Sequence, residues 1–82
     1  MPRPEDMEVL RVVRKEMARR AIDFSYAQIY VMHGVVYFRG QVKAMRGHNL
    51  DLREEMEKMG KVLRTKQDIR DVVLDLIYRG DA

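Results

Sequence analysis

Cysteine is absent from this 82-residue chain, so neither a disulfide nor a thiolate metal site can brace it, and no thiol nucleophile is available. The same absence leaves the redox compartment undetermined. Hydroxyl nucleophiles are almost as scarce: Ser25 is the only serine and Thr65 the only threonine. The two histidines, His33 and His48, have no acidic cluster at ligand spacing beside them. Acid–base work needs titratable groups converging in a pocket, and nucleophilic catalysis needs a base beside its nucleophile. The expectation is therefore a chain that is not an enzyme and that holds no metal and no cofactor. Proline is confined to Pro2 and Pro4, at the start, where it suits the first turn of a helix. There is no repeat, no low-complexity segment and no linker rich in Pro, Gly or Ser. No apolar run approaches the roughly 20 residues of a membrane span. The amino-terminal MPRPEDMEVLRVVRKEM scatters charges where an export signal needs an uninterrupted apolar region. With Met1 read as the natural start, the chain is expected to be soluble and cytoplasmic. A trimmed export signal stays open, as does peripheral association with a membrane.

Sixteen basic residues stand against thirteen acidic ones, a net charge of +3. That balance permits attraction to nucleic acid or anionic lipid without requiring it. At this length a single domain, residues 1–82, is expected, burying only about 60–65% of its unfolded-chain surface around a thin core.

The most informative stretch is Ala27 to Val42, AQIYVMHGVVYFRGQV, where two β-rich runs meet at His33-Gly34. A two-residue loop ending in Gly suits the primed hairpin turns, whose positive φ Gly adopts without steric penalty. The turn fixes the register: Met32 opposite Val35, Val31 opposite Val36, Tyr30 opposite Tyr37, Ile29 opposite Phe38 and Gln28 opposite Arg39. One face then carries Ile29, Val31, Val36 and Phe38, a core face. The other carries Gln28, Tyr30, Met32, Val35, Tyr37 and Arg39 and is mixed.

Before the hairpin, Pro4-Glu5-Asp6 places two carboxylates in a first helical turn, and Val9, Leu10, Val13, Met17 and Ala21 follow as one apolar stripe. A helix over about 5–21 is predicted. Its opposite face holds Arg11, Arg14, Lys15 and Arg19. These either form a solvated surface, with Glu8 and Glu16 pairing locally with neighbouring Arg, or meet phosphate or lipid headgroups. After the strands at about 27–32 and 35–42, Lys43 to His48 reads as a loop. Asn49 reads as the N-cap of a helix over about 50–64, with Leu52, Met56, Met59 and Leu63 on one face. Gly60 leaves open an earlier end at Met59. The segment IRDVVLDLIYR alternates Val72, Leu74, Leu76 and Tyr78 with Asp71, Val73, Asp75 and Ile77, predicting a half-buried strand at about 69–78.

The order is αββαβ, and the predicted fold is α+β. It is a two-layer sandwich with both helices on one face of a three-stranded mixed sheet. The other sheet face is then open, with Tyr30, Met32, Val35, Tyr37, Val73 and Ile77 on it as candidate interface residues. Strands favour such residues in any case, yet contiguous apolar patches beyond a few hundred Å² are unusual on monomers.

The pattern from Ile29 through the turn Gly34 to Phe38, Arg39, Gly40 and Val42 resembles the BON domain, a small bacterial module of αββαβ order. So does the closing run from Asp68 through Ile69, Val72 and Leu76. The similarity covers nearly the whole chain, with two departures. Asp68 stands where the family usually has Gly, and the span from Gly40 to Val72 is longer. The resemblance implies Gly34 and Gly40 as structural turn positions and Ile69, Val72 and Leu76 in the last strand. It implies a binding module, associated with phospholipid surfaces, small ligands or assembly of larger complexes, and no catalytic residue. Three functions follow as expectations. A lipid or anion surface would use Arg11, Lys15, Arg39, Lys43 and Arg46. A homodimer or protein partner would use the open sheet face. A single-stranded nucleic-acid binder would stack bases on Tyr30 and Tyr37 beside Arg39. The last is the least expected, since the GxxG clamp of KH domains and the aromatic signature of RRMs are both missing and +3 is modest.

Overall fold

A computed structural model describes residues 3–80. Its elements, in chain order, are α1 (Pro4–Ala18), β1 (Ile22–Asp23), β2 (Ala27–Met32), β3 (Val35–Ala44), α2 (Leu52–Arg64) and β4 (Asp71–Arg79). Two helices and a four-stranded mixed sheet result, so the expected three strands and αββαβ order are corrected by one short strand, β1. Both helical stripes and the inner side of the sheet meet in one core cluster. Among the described residues no helix is long and apolar enough to cross a membrane.

The hairpin register is the one the turn dictates, with Met32 paired to Val35 through Ala27 to Gly40. His33 (φ 50°) and Gly34 (φ 80°) both lie at positive φ, as a type I′ turn requires. Val31, Val36 and Phe38 are buried, and Ile29 packs half-buried against them. The strand β4 runs parallel to β3 from Val35–Asp71 to Lys43–Arg79, a pairing that needs a crossover, and α2 supplies it.

β3 extends past the expected Val42 because it gains partners along its full length. Lys43 pairs with Asp23 of β1 on one side and with Arg79 of β4 on the other. A strand has two edges, so β1 and β2 lie along the same one. Between the pairs Asp23–Lys43 and Ala27–Gly40 the edge strand spends three residues against two on β3, which is a β-bulge. The bulge explains Gly40. At φ 103° its backbone comes so close that an added Cβ would lie 2.5 Å from the Tyr26 carbonyl oxygen, which accepts from the Gln41 N–H at 3.1 Å.

Helix α1 stops at Ala18 rather than Ala21. Ile22 must enter the sheet, where it is buried, and the Ala21 carbonyl accepts from the Met45 N–H at 2.9 Å. Val9 and Val13 of its stripe are buried, while Leu10 and Met17 pack at the margin. Helix α2 starts two residues later than expected. Asp51, not Asn49, is its N-cap, accepting from the Glu54 N–H at 3.1 Å. It runs through Gly60 to Arg64 without ending at Met59, because Leu52, Met56, Met59 and Leu63 on its inner face are all buried and hold it on the sheet. Strand β4 begins at Asp71, so Ile69 is a buried core residue of the preceding loop and not of the strand. In that loop Asp68 adopts φ 74°, a left-handed conformation natural to Gly and tolerated by Asp.

Candidate functional site

The alternation of the strands sorts side chains across the sheet in rows. Val36, Phe38 and Val42 of β3 and Val72 of β4 face the helices and are buried. The opposite side carries Met32–Val35–Asp71, Tyr30–Tyr37–Val73, Gln28–Arg39–Asp75, Gln41–Ile77 and Asp23–Lys43–Arg79. No element of the described chain covers this side.

All six candidate interface residues meet there. The Tyr30 and Tyr37 rings stack across the two strands, centroids 4.9 Å apart and 13° from parallel. Each ring therefore gives one face to the other. Met32, Val73 and Ile77 remain exposed, Ile77 to 58%, although a helix layer would bury residues of this kind. Tyr26, 69% exposed, extends the patch at the bulge. Its position follows from the bulge and not from any period in the sequence, which is why the pattern misses it.

The candidate anion-binding residues do not converge. Arg11 and Lys15 lie on the solvent side of α1, Arg39 and Lys43 on the open sheet face, and Arg46 in the loop after β3. Arg11 pairs with Glu8 at 2.8 Å, Arg39 with Asp75 at 3.5 Å and Lys43 with Asp23 at 3.8 Å. Glu16 likewise pairs with Arg20 at 3.2 Å and Arg19 at 3.9 Å, so the acidic residues of α1 do engage neighbouring arginines. On the strands of the open face three cations, Arg39, Lys43 and Arg79, meet three anions, Asp23, Asp71 and Asp75. The face is electrically balanced.

Two of its carboxylates, Asp23 and Asp71, are favoured in the ionised form by local bonds. Asp23 has its pKa lowered chiefly by hydrogen bonds from the Ser25 hydroxyl and N–H, with Lys43 adding a smaller pull. Asp71 is lowered by the Val72 N–H, at 2.7 Å, and by Arg64, whose Nε lies 3.1 Å away. At the bulge end a shallow depression of about 280 Å³ is lined by Tyr26, Gln41, Val42, Lys43 and Arg79. Lys43 sits 5.8 Å from the Tyr26 ring centre. This lining offers cations, an amide and a ring, but no carboxylate or imidazole to move a proton. His33 and His48 are exposed, one in the hairpin turn and one in the β3–α2 loop. Among the described residues no group of three His, Asp or Glu side chains is placed to hold a metal.

A second cluster went unread in the sequence. Asp6, 5% exposed, accepts from the N–H groups of His33 at 3.3 Å and Gly34 at 3.2 Å, with Arg3 at 3.7 Å. Its place in a first helical turn gives no sign of a partner 27 residues away. The arrangement clamps α1 to the hairpin and is structural. Comparison with models of protein families, with curated proteins and with solved structures finds no match to this chain.

Proposed function

We propose that this chain is a non-catalytic, BON-like interaction module that assembles through its open sheet face with a second copy of itself. The observation that supports this most strongly is the convergence of Tyr30, Met32, Val35, Tyr37, Val73 and Ile77 on one uncovered side of the sheet. Burial of apolar surface is non-directional, so such a patch is its own complement. Balanced charge lets two copies approach without repulsion. The same balance disfavours the other occupants. An anionic lipid surface or a nucleic acid gains affinity from unpaired cations, whereas Arg39 and Lys43 each hold a carboxylate. Tyr30 and Tyr37 stack on each other, which removes one ring face from each for base stacking.

Light scattering of the full chain over a concentration series tests the reading, together with pelleting on anionic vesicles and titration with a single-stranded oligonucleotide. The expected result is association that Tyr37→Glu abolishes, with no salt-reversible binding to either polyanion. A mass that Tyr37→Glu leaves unchanged at every concentration overturns it. So does vesicle or oligonucleotide binding that is lost on replacing Arg39 or Lys43.

A further inference from the structure

The two edges of the sheet are built differently. On the β1–β2 side the ladder is broken by the bulge at Phe24–Tyr26 into stretches of two and six residues. On the other side β4 runs nine residues in uninterrupted register with β3 and, among the described residues, pairs with no other strand. Bulges, prolines, charged side chains and short length are the usual protections of a sheet edge. Strand β4, DVVLDLIYR, has no Pro, no Gly, no Lys and no bulge, and its charges, Asp71, Asp75 and Arg79, all lie on the open side of the sheet. At its start Arg64 donates to the Val72 carbonyl at 2.8 Å and Asp71 accepts from the Val72 N–H at 2.7 Å, so the edge is open beyond Val72.

We propose that the outer edge of β4 is a second assembly surface, on which another copy of this chain adds its own β4 antiparallel about a two-fold axis at Asp75. The strand is self-complementary in that register. Asp71 falls opposite Arg79 of the other copy, twice by symmetry. Val72 falls opposite Tyr78, Val73 opposite Ile77 and Leu74 opposite Leu76. Directly opposed residues point to the same side of a sheet, so core-facing residues meet core-facing ones and open-face residues meet open-face ones. Leu74, Leu76 and Tyr78 are only half-buried in the single chain, and the second copy's matching residues would complete their cover. The two Asp75 carboxylates meet on the axis, each beside its own Arg39 at 3.5 Å, so the four charges sum to zero. Sliding the register by two residues sets Asp75 against Val73 or Ile77 and loses both Asp71–Arg79 pairs. A slide of four residues recovers two charge pairs, Asp75 opposite Arg79, but leaves only residues 75–79 of the strand paired. Charge pairing and paired length together therefore select the register centred on Asp75, and the two sheets join with both open faces on the same side.

This edge is independent of the sheet-face reading, and one experiment separates them. Sedimentation of the full chain over a concentration series is run on the parent, on Arg79→Asp, on Tyr37→Glu and on the double variant Asp71→Arg/Arg79→Asp, with circular dichroism melts to verify folding. Among the described residues Arg79 holds only a long contact to Gln41, 3.4 Å, and it is exposed, so its replacement leaves the core of the monomer intact. With both surfaces active the parent forms tetramers or larger assemblies, and Tyr37→Glu and Arg79→Asp each reduce them to dimers. If the sheet-face reading alone fails, the parent is a dimer that Tyr37→Glu leaves unchanged and Arg79→Asp dissociates. Arg79→Asp turns two attractive pairs into two repulsive ones, so the edge contact weakens by about tenfold or more. The charge-swapped double variant restores it. Assembly unaffected by Arg79→Asp, or lost in that variant and not restored in the swap, overturns the edge proposal, as does a parent that stays monomeric.

Discussion

Asp6 shows how one side chain couples distant parts of a small fold. Its carboxylate receives two turn N–H groups from a hairpin 27 and 28 residues away. Asp6→Ala leaves those donors without an acceptor, so urea unfolding is expected to show a loss of about 1–3 kcal/mol. Gly40 constrains the fold in the opposite way, by having no side chain. Gly40→Ala places a Cβ 2.5 Å from a backbone carbonyl at φ 103°. The backbone conformation alone costs about 1–3 kcal/mol. A thermal melt should therefore show it more destabilised than Gly34→Ala, whose Cβ would lie 2.9 Å from the Asp68 carbonyl oxygen at φ 80°. Acid sensitivity also resides in single residues. Asp23 and Asp71 have folded-state pKa values below the ordinary 3.8. Their stabilisation is fully present above that value and is lost as the pH falls below it. Melting temperatures measured down the acid range should fall, and Asp71→Asn should flatten that fall. Of these residues the sequence revealed Gly34 by its turn, whereas the reason for Gly40, inside β3, lies in the bulge opposite it. The partner of Asp6 was invisible because nothing local encodes a contact across 27 residues.

The elements differ in how far the chain's own pattern defines them. Helix α2 has a four-residue inner stripe, all of it buried, and its apolar spacing announces both type and face. Its Gly60 lies in the helix interior, where an added Cβ would meet Val72 at 3.9 Å and Arg64 at 3.5 Å, ordinary van der Waals contact. Gly60→Ala is therefore expected to stabilise the chain by about 0.5–1 kcal/mol in denaturant titration, through a less costly loss of backbone freedom. The ends of elements were less legible. Helix α1 yields its last expected turn to β1, and β3 gains Lys43 from pairings on both sides and Ala44 from its pairing with Ile22. A two-residue strand has no period to read. It exists because Ala44 lies opposite Ile22 and the core accepts the isoleucine.

At the scale of the whole molecule the two surfaces proposed for assembly differ in character, and salt distinguishes them. The sheet-face contact rests on apolar burial and should persist or strengthen as salt is raised toward about 1 M. The edge contact includes two ion pairs at its ends and should weaken over the same range. Sedimentation of Arg79→Asp and of Tyr37→Glu across a salt series reads each contact alone, and opposite trends are the expected outcome. By itself the sequence determined the hairpin register, the inner faces of both helices and the inward and outward sides of β4, because each rests on turn chemistry or on a period of 2 or 3.6 residues within a continuous segment. Only the tertiary structure decided the bulge, the fourth strand, the parallel seat of β4 beside β3, the scattering of the expected cations between two sides, and the burial of Asp6. Each of these depends on which segments become neighbours, and that choice is made by the shared core and by backbone hydrogen bonds between residues far apart in the chain.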